Sequence, residues 1–179
     1  FNRKGVRSIL APRSPGARAQ NEDAITSMVF TPWRYMAASD VLSAIDIVLG
    51  PVVRRQIGER SIDAVEVLLW PAGLSAVAGD REEKRRREPD LVVRLEGAPG
   101  YELVIVGEMK WDLYPPATDL AEQVNQQRKA IRGWRGRACD ISSFALVRSE
   151  KPEYARLGVA VLSWTELHRR LAAFCRADG

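Results

Sequence analysis

Asp90, Glu108 and Lys110 are the residues of this sequence whose types and spacing could do chemistry together. Side chains alternate along a strand, so Glu108 and Lys110 lie on one face of the strand that they end. Asp90 and Glu108, with the backbone carbonyl of Met109, offer the hard oxygen ligands that Mg²⁺ or Mn²⁺ prefers. Such an ion would polarise a phosphoryl oxygen and acidify an attacking water, and Lys110 would orient that water or neutralise the developing charge.

A β-hairpin must bring these side chains together. Residues 90–96 and 101–110 are predicted strands, and the sequence Gly-Ala-Pro-Gly at residues 97–100 predicts the turn between them. An antiparallel register centred on this turn pairs residues whose numbers sum to about 197. This register places Asp90 opposite Gly107, which would leave room beside the ligands.

Two interpretations of the cluster stay open. In the first, the two carboxylates bind a divalent cation. An ion pair buried in a sheet seldom gains enough energy to offset the cost of its desolvation, and a bound cation would offset that cost. The alternative is a partly solvated salt bridge between Glu108 and Lys110 at the end of the strand, with no metal ion.

Histidine and cysteine are too scarce for most other chemistry. The chain has one histidine, His168, in a predicted helix, and two cysteines, Cys139 and Cys175. This excludes a Cys/His zinc cluster and a disulfide framework, and it favours a reducing, cytoplasmic compartment. Carboxylates and one lysine are left as the candidate chemistry. Two other acids of the predicted hairpin, Glu96 and Glu102, are assigned to the solvent-exposed surface.

Length and composition indicate one globular domain. The chain has 179 residues, of which 46% are hydrophobic and 28% charged. No apolar run approaches the roughly 20 residues that span a bilayer. The formal net charge is +4, which permits a nucleic-acid partner without demonstrating one.

The order of predicted elements indicates an α/β fold with a mixed central β-sheet flanked by helices. Residues 1–20 are predicted to be a basic, flexible arm, and residues 21–179 a single domain. Helices are predicted from Asn21 and over 41–49, about 118–131 and the segment after Ser163, whose Ser-Trp-Thr-Glu sequence is a capping box. Strands are predicted at 64–70, in the hairpin, and at 141–147 and 158–162.

The residues at the hairpin also carry a family resemblance. Pro89-Asp90, followed by Glu108-Met109-Lys110 at the end of the next strand, resembles the motif of the PD-(D/E)xK nuclease superfamily, whose fold is restriction-endonuclease-like. The resemblance covers about residues 21–148. It implies that Asp90, Glu108 and Lys110 form the catalytic set.

The resemblance also implies two further site residues. Glu22, on the first helix, is similar to the acidic residue that many members supply as another metal ligand beside Asp90, Glu108 and Met109. Gln123 is similar to the glutamine of the QxxxY motif of exonuclease-like members. The chain departs from that motif four residues later, where Gln127 stands in place of tyrosine.

Two clusters of cations suit a nucleic-acid backbone. One precedes Asp90, and the other follows the helix that bears Gln123 and surrounds a tryptophan on which a base could stack. The alternative for the second cluster is a solvated helix end. The predicted nucleic-acid-binding residues are Arg85, Arg86, Arg87, Arg128, Lys129, Arg132, Trp134 and Arg135.

The resemblance implies a Mg²⁺- or Mn²⁺-dependent phosphodiesterase, expected to be a DNA endonuclease. A phage-defence or mobile-element system is a common setting for similar proteins. A homodimer and a place in a larger complex of such a system are both compatible with it. The alternative function is a non-catalytic module with an idle nuclease fold, which binds nucleic acid or a partner protein.

Overall fold

The computed structural model describes residues 17–71, 88–111, 115–135 and 139–177 of the chain. Residues 1–16 of the predicted arm lie outside these ranges, as do Arg85, Arg86 and Arg87. Residues 17–20, which were expected to belong to the arm, are helical instead.

Helices precede the sheet. Helix α1 spans Ala17–Phe30, so Asn21 lies inside this helix and does not cap it. A 3₁₀ turn at Pro32–Tyr35 follows, and α2 spans Ala38–Leu49. Gly50, with φ 67°, ends α2, and α3 begins at once at Pro51–Ile57. The sequence did not predict α3, although proline is well suited to the first position of a helix.

A five-stranded sheet with the order β1-β2-β3-β4-β5 forms the centre of the fold. Strands β1 to β3 are antiparallel, and β3, β4 and β5 are parallel. The strands are β1 Ile62–Leu69, β2 Leu91–Gly97, β3 Tyr101–Met109, β4 Asp140–Val147 and β5 Ala160–Ser163. The predicted α/β class with a mixed central sheet is confirmed.

Two long helices connect and close the sheet. Helix α4, Ala117–Arg135, is the crossover between the parallel strands β3 and β4. A 3₁₀ turn at Pro152–Arg156 precedes β5, and helix α5, Trp164–Ala177, follows β5 directly. The Ser163 Oγ accepts a hydrogen bond from the backbone N–H of Glu166 at 3.2 Å, which is half of the predicted capping box.

The sheet buries a different core on each face. Alternate residues of β2 and β3, among them Val93 and Ile105, pack against α1, α2 and α5. The residues between them, among them Val92 and Val106, pack against Ile131 of α4. This alternation places Glu108 on the α4 face, in line with Val106.

The hairpin register differs by one residue from the prediction. Gly97 pairs with Tyr101, so the loop contains three residues and Gly100 takes a left-handed φ of 78°. Leu91 pairs with Gly107, and the next step of the register therefore sets Asp90 opposite Glu108. The expectation that Asp90 faces Gly107 was wrong.

Gly107 does not leave an opening beside the acids. A Cβ added at this position would lie 2.7 Å from Cζ of Phe144, on the neighbouring strand β4. The missing side chain accommodates the Phe144 ring, so this glycine serves packing within the sheet.

Candidate metal and catalytic site

Asp90 lies just before β2 and is held through both carboxylate oxygens. Its Oδ1 accepts a hydrogen bond from the indole Nε1–H of Trp70 at 3.1 Å. Its Oδ2 accepts one from the backbone N–H of Met109 at 2.8 Å. The position opposite Met109 is Pro89, which has no N–H and lies outside β2, so the Asp90 carboxylate takes the place of a strand partner.

Glu108 is the most enclosed of the acids, with 2% of its surface exposed. Its Oε1 accepts hydrogen bonds from Nζ of Lys110 and Nε2 of Gln123. Its Oε2 accepts one from Nε2 of Gln127, which is fully buried. Because α4 presents both glutamines to the sheet one turn apart, this helix fixes the plane of the carboxylate.

Lys110 is charged in this environment. Burial by itself would lower the pKa of its ammonium group, but Glu108, Asp90 and Glu22 together outweigh burial and raise the pKa above its ordinary value. The backbone N–H of Lys110 also donates to the carbonyl of Leu146 on β4 at 2.7 Å, which anchors the residue at the sheet. Lys110 is therefore a positively charged group among these acids.

Glu22 approaches the same end of the sheet from α1. Its Oε2 accepts a hydrogen bond from the backbone N–H of Trp111 at 2.9 Å, just beyond β3. Burial raises the pKa of the Glu22 carboxyl, and repulsion from Glu108 and Asp23 adds to this, against the opposing effect of Lys110. The Trp111 ring packs edge-on against Trp164, with 5.4 Å between centroids.

The Asp90 carboxyl is destabilised as an anion. Burial, and then repulsion from Glu108, raises its pKa well above the ordinary value, although Lys110 and the Met109 N–H act in the other direction. Three acids, Glu22, Asp90 and Glu108, thus surround one ammonium group at this end of the sheet. If all are ionised, the cluster has a net charge of −2, which a divalent cation would neutralise.

The donor set fits a hard divalent cation in its chemistry. Asp90 and Glu108 are carboxylates fixed by neighbouring donors, which is how ligating carboxylates are held in metal sites. Within the described ranges, however, no group of three or more His, Cys, Asp or Glu side chains is arranged to hold a metal ion. Asp90 and Glu108 are the two carboxylates that would hold such an ion, and Glu22, the further predicted ligand, lies at the same end of the sheet, where it accepts the hydrogen bond from the Trp111 N–H.

The structure brings most of the predicted site together. Hydrogen bonds join Glu108 to Lys110 and Gln123, and Asp90 lies near enough to interact electrostatically with Glu108 and Lys110. The backbone of Met109 contacts Asp90 through its N–H. Its carbonyl points to the same side of β3, because the N–H and C=O of a strand residue lie on one side.

Sequence reasoning missed two residues that contact the acids. Gln127 was noted only as a departure from a motif, yet its i+4 spacing from Gln123 was a signal for a shared helix face. Trp70 was expected only in a strand, and no local pattern connects it with Asp90, twenty residues further on.

A second charged group lies on the α4 face, at the opposite end of β2 and β3. Glu102 was expected at the surface, which was wrong, since its side chain is 1% exposed. It pairs with Nε of Arg94 and with Nε of Arg135, each at 2.7 Å. Arg94 also pairs with Glu66 and Glu96. These contacts attach the C-terminal end of α4 to the sheet.

The predicted cations of α4 divide into two groups. Lys129 and Arg132 are exposed, and Trp134 is 37% exposed, with the Arg135 guanidinium 5.2 Å from the centre of its ring. Arg128 donates from Nε to Oγ of the buried Ser143 at 3.0 Å, and Arg135 is paired with Glu102. Lys129, Arg132 and Trp134 are therefore the members of this group that face solvent most openly.

Comparisons of the chain with family models, with curated proteins and with solved structures find no match in any of the three. Among the described residues, no helix has the length and apolar character needed to cross a membrane. His168 is an exposed residue of α5.

Proposed function

We propose that this protein is a Mg²⁺- or Mn²⁺-dependent phosphodiesterase of the PD-(D/E)xK type, acting on DNA as an endonuclease. The observation that carries the proposal is the arrangement of Asp90 and Glu108. They lie opposite each other one step beyond the last pair of the hairpin, and the ammonium group of Lys110 contacts Glu108. A nuclease of a phage-defence or mobile-element system is the biological setting that we propose for it.

The chain's own residues perform three tasks in this mechanism. Asp90 and Glu108, fixed by their hydrogen bonds, would hold the metal ion, which when bound polarises the phosphoryl oxygen and lowers the pKa of a water. Lys110 keeps its proton and stabilises the negative charge that develops on the phosphoryl group. Gln123 and Gln127 keep the Glu108 carboxylate in one orientation, so that little reorganisation is needed as the reaction proceeds.

The exposed cations of α4 support a polyanionic substrate. Gln123, at the acids, and Arg132, near the end of the helix, are nine residues apart, which is about 14 Å along the axis and about two and a half turns around it, so Arg132 lies on the opposite, outer side of α4. Lys129 and Arg132 are exposed on the C-terminal half of α4, and Trp134 follows them. A nucleic-acid backbone bound to this outer surface would pass around the N-terminal half of the helix to reach the acids.

Substitution of Lys110 tests the proposal. The Lys110→Ala protein should lose at least a hundredfold in cleavage of plasmid DNA with Mg²⁺ or Mn²⁺, since the charge that stabilises the transition state is removed. EDTA should abolish cleavage by the wild type. The matched control is Lys151→Ala, which removes a lysine outside the site, and circular dichroism should show that both variants are folded.

Cleavage by the Lys110→Ala protein at the wild-type rate would contradict the proposed function. Salt-dependent DNA binding by the wild type without cleavage, in any divalent cation, would instead support the non-catalytic module.

A further inference from the structure

We propose that Trp70 is a positioning residue for Asp90, which it holds in the orientation needed to bind the metal ion. This inference rests on the proposed function and adds to it a residue that the sequence motif does not contain. Trp70 follows β1 and therefore lies outside the hairpin that carries the acids.

Trp70 contacts Asp90 twice. Its backbone N–H donates to the carbonyl oxygen of Asp90 at 3.1 Å, and its indole Nε1–H donates to Oδ1 of the same residue at 3.1 Å. The first bond fixes the main chain of Asp90, and the second fixes its carboxylate. Because the Met109 N–H occupies Oδ2, the side chain is restrained at both oxygens.

The register of the sheet explains why the indole of Trp70 faces the Asp90 carboxylate. Leu69 pairs with Leu91 and Leu91 pairs with Gly107. One step further along each strand sets Trp70 beside Asp90 and Asp90 beside Glu108. The indole therefore approaches the carboxylate from the β1 side, while Glu108 faces it from the β3 side.

The backbone at Trp70 is held in an unfavourable conformation. Its φ is 43°, and it is the one non-glycine residue with a positive φ among the described residues. The left-handed region is uncommon for a bulky side chain and persists only where the surroundings enforce it. In this conformation both the backbone N–H and the indole N–H of Trp70 donate hydrogen bonds to Asp90.

The indole is enclosed, so its hydrogen bond is made away from solvent. Trp70 is 6% exposed. Loss of the donor would leave the buried Asp90 carboxylate with one neutral donor and with Glu108 facing it. The carboxylate would then lose its fixed orientation, and outer-shell donors of this kind typically contribute a factor of 10–100 to metal affinity.

The experiment is Mn²⁺ titration by calorimetry of the metal-free chain, comparing the wild type with Trp70→Phe and Trp33→Phe. Trp33 is a matched control, because it is also buried, at 8% exposure, and lies in the 3₁₀ turn away from the acids. We expect Mn²⁺ to bind about tenfold more weakly to Trp70→Phe and with unchanged affinity to Trp33→Phe. Cleavage by Trp70→Phe should recover at saturating Mn²⁺, which a merely structural defect would not do.

Failure of this inference is distinguishable from failure of the proposed function. Wild-type affinity of Trp70→Phe for Mn²⁺ would overturn the role of Trp70 and leave the metal site intact. Absence of Mn²⁺ binding by the wild type itself would overturn the proposed function, and the role of Trp70 with it. If Trp70→Phe does not fold, benzothienylalanine incorporated at position 70 removes only the N–H and keeps the ring shape, and the same affinities decide the question.

Discussion

Gln127, with none of its surface exposed, donates from Nε2 to Oε2 of Glu108, while Gln123 donates to the other oxygen of the same carboxylate. Two neutral amides on one helix thus orient an acid on a strand. A second carboxylate, that of Asp90, is oriented in the same manner by an indole and a backbone N–H. Apart from the ammonium group of Lys110 at Glu108, these donors are neutral, and they restrain a carboxylate without neutralising it.

The first prediction concerns Gln127. The Gln127→Ala protein should cleave DNA about tenfold more slowly, because the Glu108 carboxylate loses the donor at Oε2. It should also be about 2 kcal/mol less stable, since a hydrogen bond to a buried charged group is lost. Cleavage rates at saturating Mg²⁺ and urea unfolding check the two parts.

Gln126→Ala is the control for this prediction. Gln126 is the adjacent residue, and its Nε2 donates to Glu122 on the exposed side of α4. We expect its cleavage rate to equal that of the wild type. Equal effects of the two substitutions would mean that Gln127 contributes only to the packing of the helix.

A second prediction follows from the raised pKa of Asp90. The unfolded carboxyl titrates near pH 4, and in the folded, metal-free protein burial and Glu108 raise its pKa well above that value. The contribution of Asp90 to stability is therefore fully present below about pH 4 and is lost as the pH rises through the folded pKa. The free energy of unfolding of the wild type should fall with pH relative to that of Asp90→Asn, whose side chain does not titrate.

Urea unfolding in EDTA from pH 4 to 8 measures this difference. Added Mn²⁺ should stabilise the wild type increasingly as the pH rises, because a metal ligand must be deprotonated. A constant difference between the two proteins over this range would contradict the environment inferred for Asp90.

How far the sequence determines this site depends on the range of the interactions. Asp90, Glu108 and Lys110 follow from a local hairpin, and the mixed sheet follows from the order of strong periodic segments. The register could not be derived to the residue, because centring the turn requires knowing that Gly100 adopts a left-handed φ of 78°. That conformation gives a three-residue loop and shifts each pair by one position.

Contacts between segments that are distant in the chain could not be predicted from local sequence patterns. The assignment of Glu102 to solvent was wrong, because alternation puts it on the same face as Val104 and Arg135 contacts it from the end of α4. Helix α3 was missed because Gly50-Pro51 indicates an end, whereas the proline here also begins the next helix.

A third prediction concerns the exposed cations of α4. The double variant Lys129→Ala/Arg132→Ala should bind duplex DNA more weakly and lower the slope of log K against log salt by about two, one for each lost phosphate contact. Binding measured by fluorescence anisotropy at several salt concentrations checks this. Its control is Arg34→Ala/Arg156→Ala, which removes two exposed cations from the 3₁₀ turns. The same slope for both double variants would show that α4 is not the DNA-binding surface.

The most direct test of the account is the position of a bound metal ion. A crystal of the protein grown with Mn²⁺ should show an anomalous diffraction peak at about 2.0–2.4 Å from a carboxylate oxygen of both Asp90 and Glu108. The Glu108→Gln protein, crystallised in the same way, should lose most of that peak. A protein saturated with Mn²⁺ that shows no peak between Asp90 and Glu108, or shows one only at other residues, would contradict the central claim.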